Sequence, residues 1–216
     1  MSLALVQSRA LLGLRAPPVT VEVHLANGLP SFTLVGLAEV EVKEARERVR
    51  SALQNAGLEF PHNKRITVNL APADLPKDSG RFDLPIALGI LAASGQIDAA
   101  RLAGWEFAGE LSLSGELRAV RGALATSLAL HTAGAQGGSA SSVRLVLPPG
   151  SAEEAALVPG SAVWRARHLL DVVRAFLPTP LDDEPQADAG WQRMNHQAPQ
   201  AHAHYADLAD VKGQAA

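Results

Sequence analysis

The sequence contains no cysteine. That absence removes disulfide frameworks and thiolate metal sites, and it fits a reducing compartment. Aromatic residues make up only 4% of the 216 residues, against a hydrophobic fraction of 47%. The core is therefore expected to be aliphatic, with few rings on which nucleic-acid bases could stack. No apolar run reaches the roughly 18 residues that span a bilayer. The start, MSLALVQSRALLGL, lacks a basic region before its apolar residues and carries Gln7, Ser8 and Arg9 in its middle, so it does not read as a signal peptide. A cytoplasmic location with no membrane partner is expected. A P-loop, G-x-x-x-x-G-K-[ST], is missing too, and Gly134 to Gly138 (GAQGG) has no Lys-Ser or Lys-Thr after it. That stretch reads as a flexible loop, and no cofactor is expected in this chain. His196, His202 and His204 crowd the C-terminal part, yet no carboxylate or cysteine spacing completes a metal site, so no metal is expected either.

What remains is a mildly acidic chain, net charge -3, long enough for one well-cored domain and some irregular chain. Val19, Val21, Val23 and Leu25 alternate along a strand, and Ser31 to Val35 resumes the pattern after Asn27-Gly28-Leu29-Pro30, which predicts a hairpin. From Glu39 to Ala56 the period becomes helical, with Val42, Ala45, Val49, Ala52, Leu53 and Ala56 on one stripe and Gly57 as the stop. Lys43, Arg46 and Arg50 line the other side among Glu41, Glu44 and Glu47, a pattern expected of a solvated face with ion pairs at i,i+3 and i,i+4. Ile66 to Leu70 is a strand. A helix follows to Ala93, with Asp83 as its expected N-cap and Pro85 in its first turn. Phe107 to Leu113 and Glu116 to Val120 read as strands joined at Ser114-Gly115, and a helix covers about Gly122 to Thr132. Strand, helix, strand and helix then follow at 143–147, 152–156, 162–165 and 168–176, an alternation that favours parallel pairing. Beyond Phe176 the composition turns polar and rich in Pro and Ala, so 178–204 is expected to be a linker.

Three phrases carry a resemblance when taken in order. SLALVQSRALLGLRAPPVTVEVHLANGLPSFTLVGL opens the chain, RITVNLAPADLPKDSGRFDLPIALGIL lies in its middle, and ADVKGQ stands near its end. Together they resemble the N-terminal region of the ComM/YifB family of magnesium-chelatase-like proteins. The resemblance covers residues 1–177 and again 205–214. It implies an α/β (α+β) fold, a Lon-protease-like domain of the ribosomal-protein second-domain-like type with a mixed sheet packed by helices. It also implies that 205–216 opens an AAA+ ATPase domain. The parent would then use ATP and Mg2+, assemble with sister subunits into a hexamer, and process DNA during natural transformation as a branch-migration helicase.

Lon-type peptidases deliver their serine from a loop of the form PKDGPSAG at the start of a helix, and a lysine from a later helix takes its proton. Pro76, Lys77 and Asp78 match that loop, but Asp83 falls where the serine is sought, and Leu124 of RGALAT falls where the lysine is sought. Both dyad positions are degenerate, so the domain is expected to be non-peptidolytic, with Asp83 as a helix cap paired to Arg81 or Arg121. Ser79 with Lys77 is the alternative, a residual serine peptidase. Lys64, Arg65, Lys77, Arg81, Arg118 and Arg121 stand in basic pairs near strand ends and are the DNA-contact candidates. A third reading is a pure protein-interaction module.

Overall fold

The computed structural model describes residues 2–36, 39–77, 80–136, 143–179 and 190–196. Ser79, and the 205–216 stretch expected to open a second domain, lie outside the described residues, as do His202 and His204.

An eight-stranded mixed sheet organises the domain. The strands are β1 (Ser2–Arg9), β2 (Pro18–Ala26), β3 (Ser31–Val35), β4 (Arg65–Ala71), β5 (Trp105–Phe107), β8 (Arg144–Leu147), β9 (Val163–Arg165) and β10 (Gln192–Arg193), in the spatial order β10-β9-β8-β5-β1-β2-β4-β3. A separate hairpin, β6 (Glu110–Leu111) with β7 (Leu117–Arg118), lies where two strands joined at Ser114-Gly115 were expected. β1 pairs antiparallel with β2 and parallel with β5, so the N-terminal residues run through the centre of the sheet. The parallel pairing of β8 with β9 meets the expectation for the C-terminal alternation.

β2 and β3 do not form the expected hairpin. β4 is inserted between them, antiparallel to β2 and parallel to β3, with Arg65 in register with both Ala26 and Ser31. The turn Asn27 to Pro30 therefore arches over the start of β4. The physical reason is burial: Ile66, Val68 and Leu70 make β4 apolar on the helix-facing side, and a position between two strands shields it better than an edge does. α1 (Glu39–Asn55) joins β3 to β4 as the crossover of a β-α-β unit and places Ala45, Val49, Ala52 and Leu53 in the core.

α2 (Asp83–Ala93) is buried along its whole length. Its sequence DLPIALGILAA has no polar stripe because β1 and β2 cover one side and α1 the other. Each Leu or Ile it buries contributes about 1.5–3 kcal/mol. Gly89 is the close point: a Cβ there would stand 2.4 Å from Val23 Cγ2, so only glycine lets α2 lie this low on β2. α3 (Ala123–Gln136) and α4 (Ser151–Ala155) pack with Leu145, Leu147 and Val163 in a second cluster. α5 (Leu169–Ala175) joins the main core instead. Because Leu145 and Val146 alternate along β8, the two clusters take opposite faces of the sheet. Among the described residues no helix is long and apolar enough to cross a membrane.

Two further expectations need correcting. The linker placed over 178–204 is interrupted, because β10 pairs antiparallel with β9 and Trp191 packs against Trp105 and Phe176. The core is also not purely aliphatic. All three tryptophans gather with Phe107 and Phe176 in one aromatic island at the β5–β9 end of the sheet.

Candidate functional site

The segment that leads from β4 into α2 forms the candidate site. A 3-10 turn, Gly80–Phe82, turns the chain into the helix and is tied to the strand connection after β5: Gly109 N donates to Arg81 O, and Leu84 N donates to Gly109 O, both at 3.0 Å. Asp83 is the first helical residue rather than the N-cap. Phe82 holds the cap position without a side-chain bond. The carboxylate of Asp83 is gripped by Arg48 of α1 on both oxygens, Nε to Oδ2 at 2.6 Å and Nη2 to Oδ1 at 3.2 Å. Leu111 N of β6 donates to Oδ2 at 3.2 Å. Asp83 is fully buried. The expected partners Arg81 and Arg121 are thus replaced by Arg48, and one carboxylate ties α1, α2 and the β6-β7 hairpin together.

Burial pushes the Asp83 carboxyl from 3.8 up to about 7, although the Arg48 pair and the Leu111 N–H both favour the charged form. Nearby Glu110 adds to the upward push. The sign follows from proton linkage: the folded state holds a proton on Asp83 between pH 4 and 7 that the unfolded state releases. The resulting stabilisation is present in full below about pH 4 and is lost as pH rises through about 7. A shift of about three units corresponds to a change on the order of 4 kcal/mol. Urea unfolding at several pH values between 4 and 8 is expected to show this decline, and Asp83→Asn is expected to flatten it. An undiminished slope in the variant would assign the decline to other groups.

The other expected site residues fall in different places. Lys77 is 7% exposed, and its Nζ donates to the carbonyls of Pro72 and Leu75, the latter at 3.1 Å. Burial lowers its pKa against the pull of Asp74, and the two carbonyl acceptors hold Nζ in place as a clasp for the loop. Arg81 is 3% exposed and reaches Arg121 O at 3.5 Å and Thr126 Oγ1 at 3.4 Å. Neither Lys77 nor Arg81 is a surface cation, so both leave the set of DNA-contact candidates. Leu124 is 38% exposed at the start of α3 and its N–H bonds Glu154, so the α3 residue joined to the α2 entrance is Thr126, not Leu124. Arg118 and Arg121 are exposed, Arg118 beside Glu110 at 3.6 Å.

Lys64 and Arg65 lie at the beginning of β4, a strand of seven residues and roughly 20 Å whose other end, Ala71, leads on toward the α2 entrance. The six basic residues therefore do not form one surface. Of the arginines expected on a solvated face of α1, Arg46 lies over the Phe32 ring and Arg50 over the Phe60 ring. Within α1, Glu44 pairs with Arg48 at i,i+4. His196 rests against Ala156 O. No group of three His, Cys, Asp or Glu among the described residues could hold a metal ion.

The fold and this site define a mixed α/β domain with a structural carboxylate at the entrance of its central helix. Residues 21–139 match the family described as Subunit ChlI of Mg-chelatase. That match covers more than half of the chain, and the chain belongs to this magnesium-chelatase-like family, within it to the ComM/YifB group. It is 56% identical over 174 residues to the competence protein ComM of Haemophilus influenzae, covering 81% of this chain and 32% of that protein. It is 44% identical over 216 residues to the uncharacterized protein YifB of Escherichia coli, covering 99% of this chain and 39% of that protein. An uncharacterized protein of Mycobacterium tuberculosis is 37% identical over 169 residues, or 78% of this chain and 32% of its own length. The chain thus spans about a third of the length of the curated relatives it matches, 32% to 39% in these three.

Proposed function

We propose that this chain is the N-terminal module, Lon-protease-like in fold and without peptidase activity, of an AAA+ ATP-driven DNA-processing protein. In that setting it contacts DNA or supports assembly of a ring of sister subunits. The observation that carries the reading is Asp83. At the position where a Lon-type nucleophile is sought stands a buried carboxylate engaged on both oxygens by Arg48. It offers no hydroxyl for acyl transfer, and its replacement would loosen three elements at once.

Residual peptidase chemistry would need the Lys77 amine to face a serine hydroxyl. Its Nζ is instead turned to the Pro72 and Leu75 carbonyls of its own loop. The match to a magnesium-chelatase subunit and the competence protein among the relatives support the ATPase parent. ATP and Mg2+ belong to that parent: this chain has no P-loop, and its described residues offer no metal cluster, so no step here runs through them.

A salt titration of the full chain with a branched DNA tests the nucleic-acid role. Binding is expected at low salt and is expected to fall steeply as salt rises, by about 0.9 in log K per log unit of salt for each phosphate contact on duplex arms. An absence of binding at low salt would leave a protein-interaction module.

A further inference from the structure

At the β3 edge of the sheet, Arg46 and Arg50 stand one turn apart on α1, over the rings of Phe32 and Phe60. The Arg46 guanidinium lies 5.7 Å from the centroid of Phe32, and that of Arg50 lies 5.2 Å from Phe60. The two rings are buried and touch each other, with centroids 5.9 Å apart. They act as plates that hold the guanidiniums in place, not as free surfaces for stacking. Together with His62 and Lys64, the two arginines line a cavity of about 290 Å3 whose wall, among the described residues, contains no Asp or Glu.

Arg46, Arg50 and Lys64 make no ion pair with any described residue. Elsewhere in the domain Arg9, Arg48, Arg118 and Arg165 each hold a carboxylate. Arg46 Nε is a buried donor without an acceptor, a state that native structures seldom leave unless a ligand or water completes it. Lys64 Nζ donates to Asn27 Oδ1 at 2.7 Å, which fixes it on the rim with further N–H groups to give.

Clustered cations without a carboxylate select an anion, and guanidinium forks match the paired oxygens of a phosphate. The volume is close to the lower end of small-ligand sites, room for a phosphate with its sugar. A rigid duplex presents its phosphates on a convex cylinder and reaches only the rim of such a concavity. A single strand bends into it. We propose that this cavity seats one nucleotide unit of a single-stranded nucleic acid through its phosphate. The proposal rests on the nucleic-acid reading above and names the site and the strand form.

Fluorescence anisotropy of the full chain with a labelled oligothymidylate and with a matched duplex provides the test. The single strand is expected to bind more tightly than the duplex. Arg46→Gln and Lys64→Gln are each expected to weaken it about ten-fold at low salt, as loss of a charged hydrogen bond does. Each is also expected to reduce the salt slope by about 0.7. Arg46→Lys is expected to restore part of the affinity. Arg174→Gln, an equal charge change at an exposed position of α5, is expected to leave it within two-fold. Unfolding midpoints accompany each variant, and Lys64→Gln, away from the phenyl plates, keeps the test open if Arg46→Gln fails to fold. Undiminished binding by folded Arg46→Gln or Lys64→Gln overturns the cavity and leaves the nucleic-acid reading standing. Equal affinity for free thymidine monophosphate and the strand overturns the strand assignment. No binding by the wild type at low salt overturns both the cavity and the wider reading.

Discussion

Replacing Arg48 by Ala is expected to destabilise the domain by about 3–5 kcal/mol at pH 8 and by distinctly less at pH 5. Arg48 is 18% exposed at its side chain and Asp83 is wholly buried, so the substitution strands a carboxylate that the interior cannot solvate. At pH 8 the wild-type pair is charged and complete, and the variant must either bury a lone anion or take up a proton against the bulk pH. At pH 5 the Asp83 carboxyl, with its pKa raised to about 7, already holds a proton in both proteins, and less is lost. Paired urea titrations at the two pH values measure the difference. A loss below about 1 kcal/mol at both would mean that the pair behaves like an exposed one. Replacing both residues by apolar ones of similar volume is expected to recover most of the stability, since a buried pair seldom exceeds a well-packed apolar contact.

Phe107→Ala is expected to remove a further 3–5 kcal/mol or so, by the cavity it leaves in the aromatic island. Phe107 is fully buried, stacks on Trp105 at 6.5 Å and 23°, and meets the edge of Phe176 at 5.6 Å. Trp105 in turn contacts Trp164 at 4.9 Å and Trp191 at 5.6 Å. The change therefore reaches all three tryptophans, and their emission is expected to shift to the red with the loss of stability. An unchanged spectrum in a folded variant would contradict the packing described for β10 and Trp191.

The strands β2 and β4 were legible because their apolar residues alternate on one covered face, and α2 was legible because eleven residues without a polar stripe can only be central. Their neighbours in space were not. The turn Asn27 to Pro30 has hairpin chemistry, and only the later strand Ile66 to Leu70, competing for the same partner, opens the hairpin. Pairing at long range has no local signal. The same holds for Asp83 and Arg48, 35 residues apart: an aspartate before a helix reads as a cap, and burial alone made it an ion-pair anchor instead.

The setting of the α1 arginines is hidden from the sequence for a related reason. A basic stripe among glutamates looks solvated on a helical wheel, and the rings of Phe32 and Phe60 that hold Arg46 and Arg50 come from β3 and from the loop before β4. The helix start expected after Pro76, Lys77 and Asp78, by contrast, is where α2 begins, at Asp83. What the structure changed there is the meaning of each residue, with Lys77 as a clasp on two carbonyls and Arg81 as a buried brace to Thr126.

Peptidase activity is where this account is most directly exposed. The full chain incubated with labelled casein between pH 6 and 8 is predicted to release no fragments above buffer and to show no self-cleavage. Cleavage that disappears in Ser79→Ala while the fold persists would contradict the assignment of the α2 entrance as structure.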